Sequence, residues 1–217
     1  MKTRIISAIV LLPIFLAILI LLPQIVLAGT IAIISIIIAI ELFRARKVTD
    51  CPKLKILLPI LAIIPIPLAL STLYWLRVMP WGNWLVLFPI IVTILTDSGA
   101  YFVGVAIGKR KPFPNISPNK TIAGCVGGII IGTAGIFAYG MIMQHFTGMT
   151  INVPVLLTIG LVGSVITETG DLAFSKLKRN LGIKDYGNLI PGHGGMLDRF
   201  DSMIFSAPTV YLLMIIL

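Results

Sequence analysis

Residues 84–107 read WLVLFPIIVTILTDSGAYFVGVAI, an apolar run in which Asp97 is the only charged side chain. A helix needs about 20 mainly apolar residues to cross the hydrocarbon core of a bilayer. The run is long enough, and an acid inside such a helix is costly and usually functional. Residues 84–107 therefore read as a membrane span that carries chemistry.

Working outward from this run, comparable stretches lie at Arg4 to Leu22, Ile25 to Phe43, Leu54 to Leu76, Thr121 to Gln144, Val153 to Ser175 and Ser202 to Leu217. With Trp84 to Ile107 they predict an all-α, polytopic integral membrane bundle of about seven transmembrane helices. The first two spans form a tight hairpin around Pro23. The third contains Pro59, Pro65 and Pro67, so a kink or break is expected there. Lys2 and Arg4 before an apolar stretch imitate a secretion signal. The stretch is longer than a signal core and more spans follow, so an uncleaved first span is expected. The chain divides into residues 1–83, three N-terminal spans, and residues 84–217, where the polar motifs gather.

Composition agrees. Hydrophobic residues make up 58% of the 217, charged residues 12%, and the mean hydropathy is +1.06. A soluble domain carries roughly 25% charged residues, so an ordinary soluble protein is excluded. The net charge of +9 could suggest nucleic acid. Here, however, the basic residues occupy short loops between apolar runs, which suits topology signals and anionic lipid headgroups. Nucleic acid is not an expected partner; membrane lipids are. Cys51 and Cys125 supply neither a disulfide framework nor metal-ligand spacing. Zinc has no HExxH to bind.

If the N-terminus is cytoplasmic, every Lys and Arg except Arg77 falls on the inner side. This is the positive-inside pattern. Asp97, Glu168 and Asp171, read as the charged residues within spans, then lie in the cytoplasmic halves of their helices. The two polar, glycine-rich loops, Gly108 to Lys120 and Lys176 to Asp201, follow those same helices. An inner-membrane protein with a cytoplasmic site is expected.

On the sixth span Glu168, Asp171, Ser175 and Lys178 fall within roughly 80° of one helix face. Two carboxylates, a hydroxyl and an ammonium in a line suit a metal and a polyphosphate. They equally suit an ion pair, Asp171 with Lys178 or Ser175, that holds helices together. Beyond them stand Lys184-Asp185 and the stretch 189–201, LIPGHGGMLDRFD. Its glycines either surround anionic oxygens with backbone amides or make an ordinary turn. His193 is a phosphate donor, a base or a structural hydrogen-bonder. Asp198 and Asp201, three apart, can face one site, and Mg²⁺ favours one or two carboxylates plus substrate phosphates. Upstream, Ser117 resembles an N-cap with Pro118 at the first helical position. Lys120 and Thr121 at that helix start suit an anion. Gly124, Gly128 and Gly132 read as helix-packing glycines.

These residues carry a resemblance. Ser175-Lys176-Leu177-Lys178-Arg179, Lys184-Asp185, Pro191-Gly192-His193-Gly194-Gly195 and Asp198-Arg199-Phe200-Asp201 resemble the signature of the phosphatidate cytidylyltransferases. Asp97-Ser98-Gly99-Ala100-Tyr101, Gly108-Lys109 and Ser117-Pro118-Asn119-Lys120-Thr121 are similar to that family's upstream motifs, in the same order. The chain departs from the pattern at Ile122-Ala123 and at Phe174. The resemblance implies that CTP and phosphatidate give CDP-diacylglycerol and pyrophosphate with Mg²⁺ or another divalent metal, and it admits a homodimer. It also implies metal ligands at Asp171, Asp198 and Asp201 and phosphate contacts from Lys178 and Arg179. Around these, Asp97, Ser117, Lys120, Thr121, Ser175, Lys184, Asp185, His193, Gly194, Gly195 and Arg199 are expected to bind substrate. The rival readings are a CTP-dependent transferase acting on another phosphorylated lipid and an ion-coupled transporter. The transporter lacks a matched pair of interrupted helices. A CDP-alcohol phosphotransferase would need spaced aspartates that are missing.

Overall fold

The computed structural model describes residues 13–189 and 194–217, and they are helical throughout their main elements. A helical segment at residues 13–20 (α1, as far as it is described) leads into α2 (Gln24–Val48), α3 (Pro52–Ile63), α4 (Pro65–Val78) and the one-turn α5 (Gly82–Leu85). Then come α6 (Phe88–Ile107), α7 (Ile122–Thr147), α8 (Val153–Asn180) and α9 (Leu197–Ile216). Among the described residues six stretches are long and apolar enough to cross a membrane: α2, α3 with α4, α5 with α6, α7, α8 and α9. They match six of the seven expected spans. The remaining one, Arg4 to Leu22, is described only from residue 13 onward. The chain is a multi-pass, all-α membrane protein.

The expected break in the third span falls at Ile64, whose backbone (φ −119°, ψ −68°) separates α3 from α4. Pro65 and Pro67 have no N–H to continue the ladder, whereas Pro59 is absorbed within α3. Arg77, in the last turn of α4, has a structural task. Its Nε donates to Leu19 O (2.8 Å) and its Nη2 to Ile20 O (3.2 Å), closing the carbonyl end of α1. Large apolar side chains are left bare around the bundle, among them Ile25, Val105 and Phe146, each at least 70% exposed. Such patches are what lipid covers.

Helices α6 to α9 pack on one another and enclose the polar centre, while α4 lies against α9 and α2 against α3 and α4. The α6/α7 contact is close because α7 presents glycines to it. A Cβ at Gly124 would sit 2.6 Å from the Ala100 carbonyl, and one at Gly128 would sit 2.7 Å from the Thr96 carbonyl. At Gly132 it would collide with the Thr96 and Ser164 hydroxyls, which themselves hydrogen-bond at 3.0 Å. The three glycines are packing residues, as their spacing predicts.

Candidate active site

One cavity of about 360 Å³ opens where α6, α7, α8 and α9 meet. Helix α6 contributes Asp97 and Tyr101, and the turn before α7 contributes Asn119, Lys120 and Thr121. Asp171 and Lys178 come from α8, and Asp198, Arg199 and Asp201 from the N-terminal end of α9. Four aspartates and three cations thus converge from α6, α8, α9 and the turn before α7.

The start of α7 differs from the expected one. Thr121, with extended backbone (φ −121°, ψ 154°), is the N-cap, and its Oγ1 accepts from Gly124 N–H at 3.0 Å. Ser117 and Pro118 instead begin a turn closed by Lys120 N–H to Ser117 O (3.2 Å). The Ser117 carbonyl is taken by Lys120 N–H three residues on, and the Gly124 amide is capped by Thr121, so the helix begins only after Thr121. That turn delivers Lys120 inward. Its Nζ lies 2.5 Å from Glu168 Oε2 and 2.8 Å from Asp171 Oδ2. Burial lowers the ammonium's pKa, but Asp171 and then Glu168 outweigh it and hold it above the ordinary lysine range. Glu168 stands behind Lys120. It also takes the Cys125 thiol at 3.6 Å, while its Oε1 is buried without a partner.

The stripe on α8 is split between two partners. Asp171 and Glu168 face Lys120, and Ser175 Oγ donates to Asp171 Oδ1 (3.3 Å). Lys178 pairs across the cavity with Asp198 Oδ1 at 3.0 Å, and it lies 3.9 Å from Asp201 Oδ2. Asp198 Oδ2 accepts two backbone N–H groups, from Tyr186 (2.8 Å) and Gly195 (2.9 Å). Tyr186 and Gly195, from the described parts of the connection between α8 and α9, thus meet at Asp198, and Asp171 and Asp198 line one cavity. Tyr186 is buried, and its hydroxyl donates to Phe174 O (3.2 Å). Burial, then Asp198 and Asp201, raise the phenol far above its usual pKa, so it stays neutral.

Other expected site residues stand apart from the cavity lining. Arg179 Nε donates to Ile116 O (3.3 Å), tying α8 to the loop before α7. Lys184 and Asp185 are exposed on the connecting segment. Ser117 holds the turn, Ser175 steadies Asp171, and Gly195 serves Asp198 through its amide. A Cβ at Gly194 (φ 88°) would crowd Asp198 Oδ2 and Asp185 Oδ1 at 3.1 and 3.2 Å. His193 lies outside the described residues. The reading that spans hold only Asp97, Glu168 and Asp171 needs correcting. Glu41 is buried inside α2, and Asp198 and Asp201 belong to α9 itself. Glu41 sits within the Ile25 to Phe43 run, so the rule that marked Asp97 marks it too.

Among the described residues no three His, Cys, Asp or Glu side chains are grouped to hold a metal alone. A lone-pair count shows what is free. Each Asp171 oxygen has one partner, and Asp201 Oδ2 has only the distant Lys178. Asp198 Oδ2 is filled by its two amides, leaving capacity on Oδ1 beside Lys178. Asp97 has no hydrogen-bond or ion-pair partner among the described residues. Such partly free carboxylates fit a hydrated Mg²⁺ that arrives with substrate phosphates, since that ion keeps most of its ligands from water and phosphate.

Comparison with known proteins agrees with this chemistry. The profile of the cytidylyltransferase family matches residues 50–217. The phosphatidate cytidylyltransferase of Bacillus subtilis (strain 168) is 46% identical over 134 residues, 62% of this chain and 48% of that protein. Those of Staphylococcus epidermidis (strain ATCC 12228) and Staphylococcus aureus (strain COL) are 44% and 42% identical over 130 residues, 60% of this chain and 48% of each. The chain spans about half the length of the curated relatives it matches. With the family profile covering most of its length and four aspartates and three cations around one cavity, this chain belongs to the cytidylyltransferase family.

Proposed function

We propose that this chain transfers a cytidylyl group from CTP to phosphatidate, giving CDP-diacylglycerol and pyrophosphate, at the cytoplasmic face of the cell membrane. The observation that carries the reading is the convergence of Asp97, Lys120, Asp171, Lys178, Asp198 and Asp201 on one cavity at the edge of a lipid-covered bundle. A phosphate-monoester oxygen of the lipid attacks the α-phosphorus of CTP. A new P–O bond forms, the bond to the β-phosphate oxygen breaks, and pyrophosphate leaves with the electron pair. The attacking group is already an anion near neutral pH, so no strong base is required. The difficulty is bringing two polyanions together, which positioning and fixed charge address.

Lys178 and Arg199, which line the cavity, would receive phosphate oxygens. Lys120, shared between Glu168 and Asp171, keeps those carboxylates compatible with an anionic substrate. Asp171, Asp201 and Oδ1 of Asp198 would hold Mg²⁺. When bound, that ion would neutralise charge on the triphosphate and the leaving pyrophosphate.

The test is turnover by purified protein in lipid with labelled CTP and a panel of phosphorylated lipids. Release of pyrophosphate should require both phosphatidate and Mg²⁺, with ATP and GTP much poorer donors. Preference for a polyprenyl phosphate or an ether-lipid phosphate would keep the chemistry and replace the substrate. No turnover with any member would sink the reading. Orientation is tested separately in a background lacking Cys51 and Cys125. Single cysteines near Arg77 and Thr147 should react with an impermeant reagent outside intact cells, and one near Asn115 should not.

A further inference from the structure

The reaction as drawn uses no group from α2, yet α2 reaches the start of the helix that carries Asp198. Glu41 is 4% exposed, and its carboxylate is divided between two amides. Oε1 accepts from Met196 N–H at 2.8 Å and Oε2 from Leu197 N–H at 2.9 Å. These are the N-cap and first residue of α9, whose N–H groups have no acceptor within the helix. A carboxylate there satisfies both donors and meets the positive end of the helix dipole. The neighbouring chain leaves room for it. A Cβ at Gly187 would lie 2.6 Å from Glu41 Oε1, and one at Gly195 would lie 2.7 Å from the same oxygen.

On the other side of this turn, Asp198 Oδ2 gathers the Tyr186 and Gly195 amides. Two carboxylates therefore grip one turn, Asp198 from within it and Glu41 from a helix more than 150 residues away in sequence. Glu41 is not among the cavity residues. It also lies outside the part of the chain that the family profile matches, residues 50–217.

We infer that Glu41 is a positioning residue, anchoring the first turn of α9 so that Asp198 and its partner Lys178 are held at the cavity. Its effect on turnover rests on the proposed function; its effect on the turn rests on geometry alone.

Two variants attack the same contact from opposite sides. Glu41→Gln keeps the size but turns an NH₂ group toward one of the two amides. Gly187→Ala forces a methyl against the carboxylate without altering any cavity residue. Both are compared with wild type in lipid nanodiscs by hydrogen exchange and by kinetics per folded molecule. Exchange at Met196 and Leu197 should rise about tenfold or more, with α7 peptides unchanged. The kcat should fall about 10- to 100-fold, since small misplacements of reacting groups cost that much, while KM for CTP moves little. Glu41→Asp should recover part of both. Unchanged exchange in both variants would overturn the anchor. Faster exchange with unaltered kcat, whatever the loss of yield or melting temperature, would overturn the positioning role. If Glu41→Gln does not fold, Gly187→Ala alone decides. Should the wild type turn over no lipid, the functional reading fails, and the exchange measurements still decide whether Glu41 holds the turn.

Discussion

Between α2 and α4 the buried side chains are mostly aliphatic, Leu27, Ile38, Leu58, Ile66, Leu70, Leu73 and Leu76 among them, with Ser35, Glu41, Thr49 and Thr72 as the polar exceptions. Between α6 and α9 the buried set includes Thr93, Thr96, Ser164, Thr167, Glu168, Asp198, Asp201, Ser202 and Ser206. Glycines bring those backbones together. The first region is held by shape. Lipid tails are as apolar as leucine, so packing rather than water exclusion keeps its helices together. The second region is held by paired polar groups such as Thr96–Ser164 and Thr93–Ser206, and the same polarity supplies the site. Glu41 apart, stability and chemistry are thus separable in the N-terminal region and entangled in the C-terminal one.

Substitution at the acids should show the entanglement most strongly. Asp171→Asn should lower turnover by roughly a thousandfold or more, on the scale of removing a key electrostatic group. Its melting temperature should stay close to wild type because Lys120 keeps Glu168. Asp198→Asn should lose as much activity and also unfold earlier, since Lys178 and two buried amides lose a charged acceptor. The double variant should be scarcely slower than either single if both act on one substrate complex. Retention of most activity in a well-folded Asp171→Asn protein would break the assignment and move attention to Asp97.

Much of this is legible in the sequence alone. A charge inside an apolar run is conspicuous, so Asp97 and Asp171 stood out, and three prolines announced the break at Ile64. What could not be read was partnership. Nothing local tells that Lys120 meets Glu168 and Asp171, or that Asp198 collects two amides, because those contacts join separate helices. The Ser117-Pro118 pair imitates a helix start convincingly. It loses to Thr121 because the Ser117 carbonyl closes a tight turn on Lys120 and the Thr121 hydroxyl caps the Gly124 amide. Phe174, a departure from the family pattern, proves to be buried edge-on to Tyr186 and Phe205, with ring centroids at 6.3 and 5.8 Å, away from the cavity lining. An aromatic cluster behind the site accounts for it, and that too is tertiary.

Gly124→Val comes next in expected size. Its Cβ would press on the Ala100 carbonyl, so α6 and α7 must separate. A loss of ~1–3 kcal/mol is the usual scale of overpacking, and turnover should fall with it because Asp97 rides on α6. A stable, slow protein or an unstable, fast one would show that the two properties part even here. In the other region Leu70→Ala should cost ~2–3 kcal/mol by leaving a void, while kcat per folded molecule stays at the wild-type value. A changed kcat would break the contrast between regions. Ile36→Ala, on the lipid-facing side of α2, should be the mildest, within about 0.5 kcal/mol in a thermal melt.

The ion triad of Lys120, Glu168 and Asp171 also bears on the order in which the protein is assembled. Lys120 precedes α7, and both of its partners arrive on α8, so no earlier stage of synthesis can close the triad. Helix α8 enters the bilayer carrying two bare carboxylates, and an acid near the middle of an isolated helix raises the cost of insertion by about 2.5–3.5 kcal/mol. A cation already waiting at the head of α7 offsets part of that cost as α8 comes alongside. Retention of α8 in the membrane is then a property of the α7–α8 pair, and a chain bearing Lys120→Met should leave α8 prone to slip out of the bilayer during synthesis.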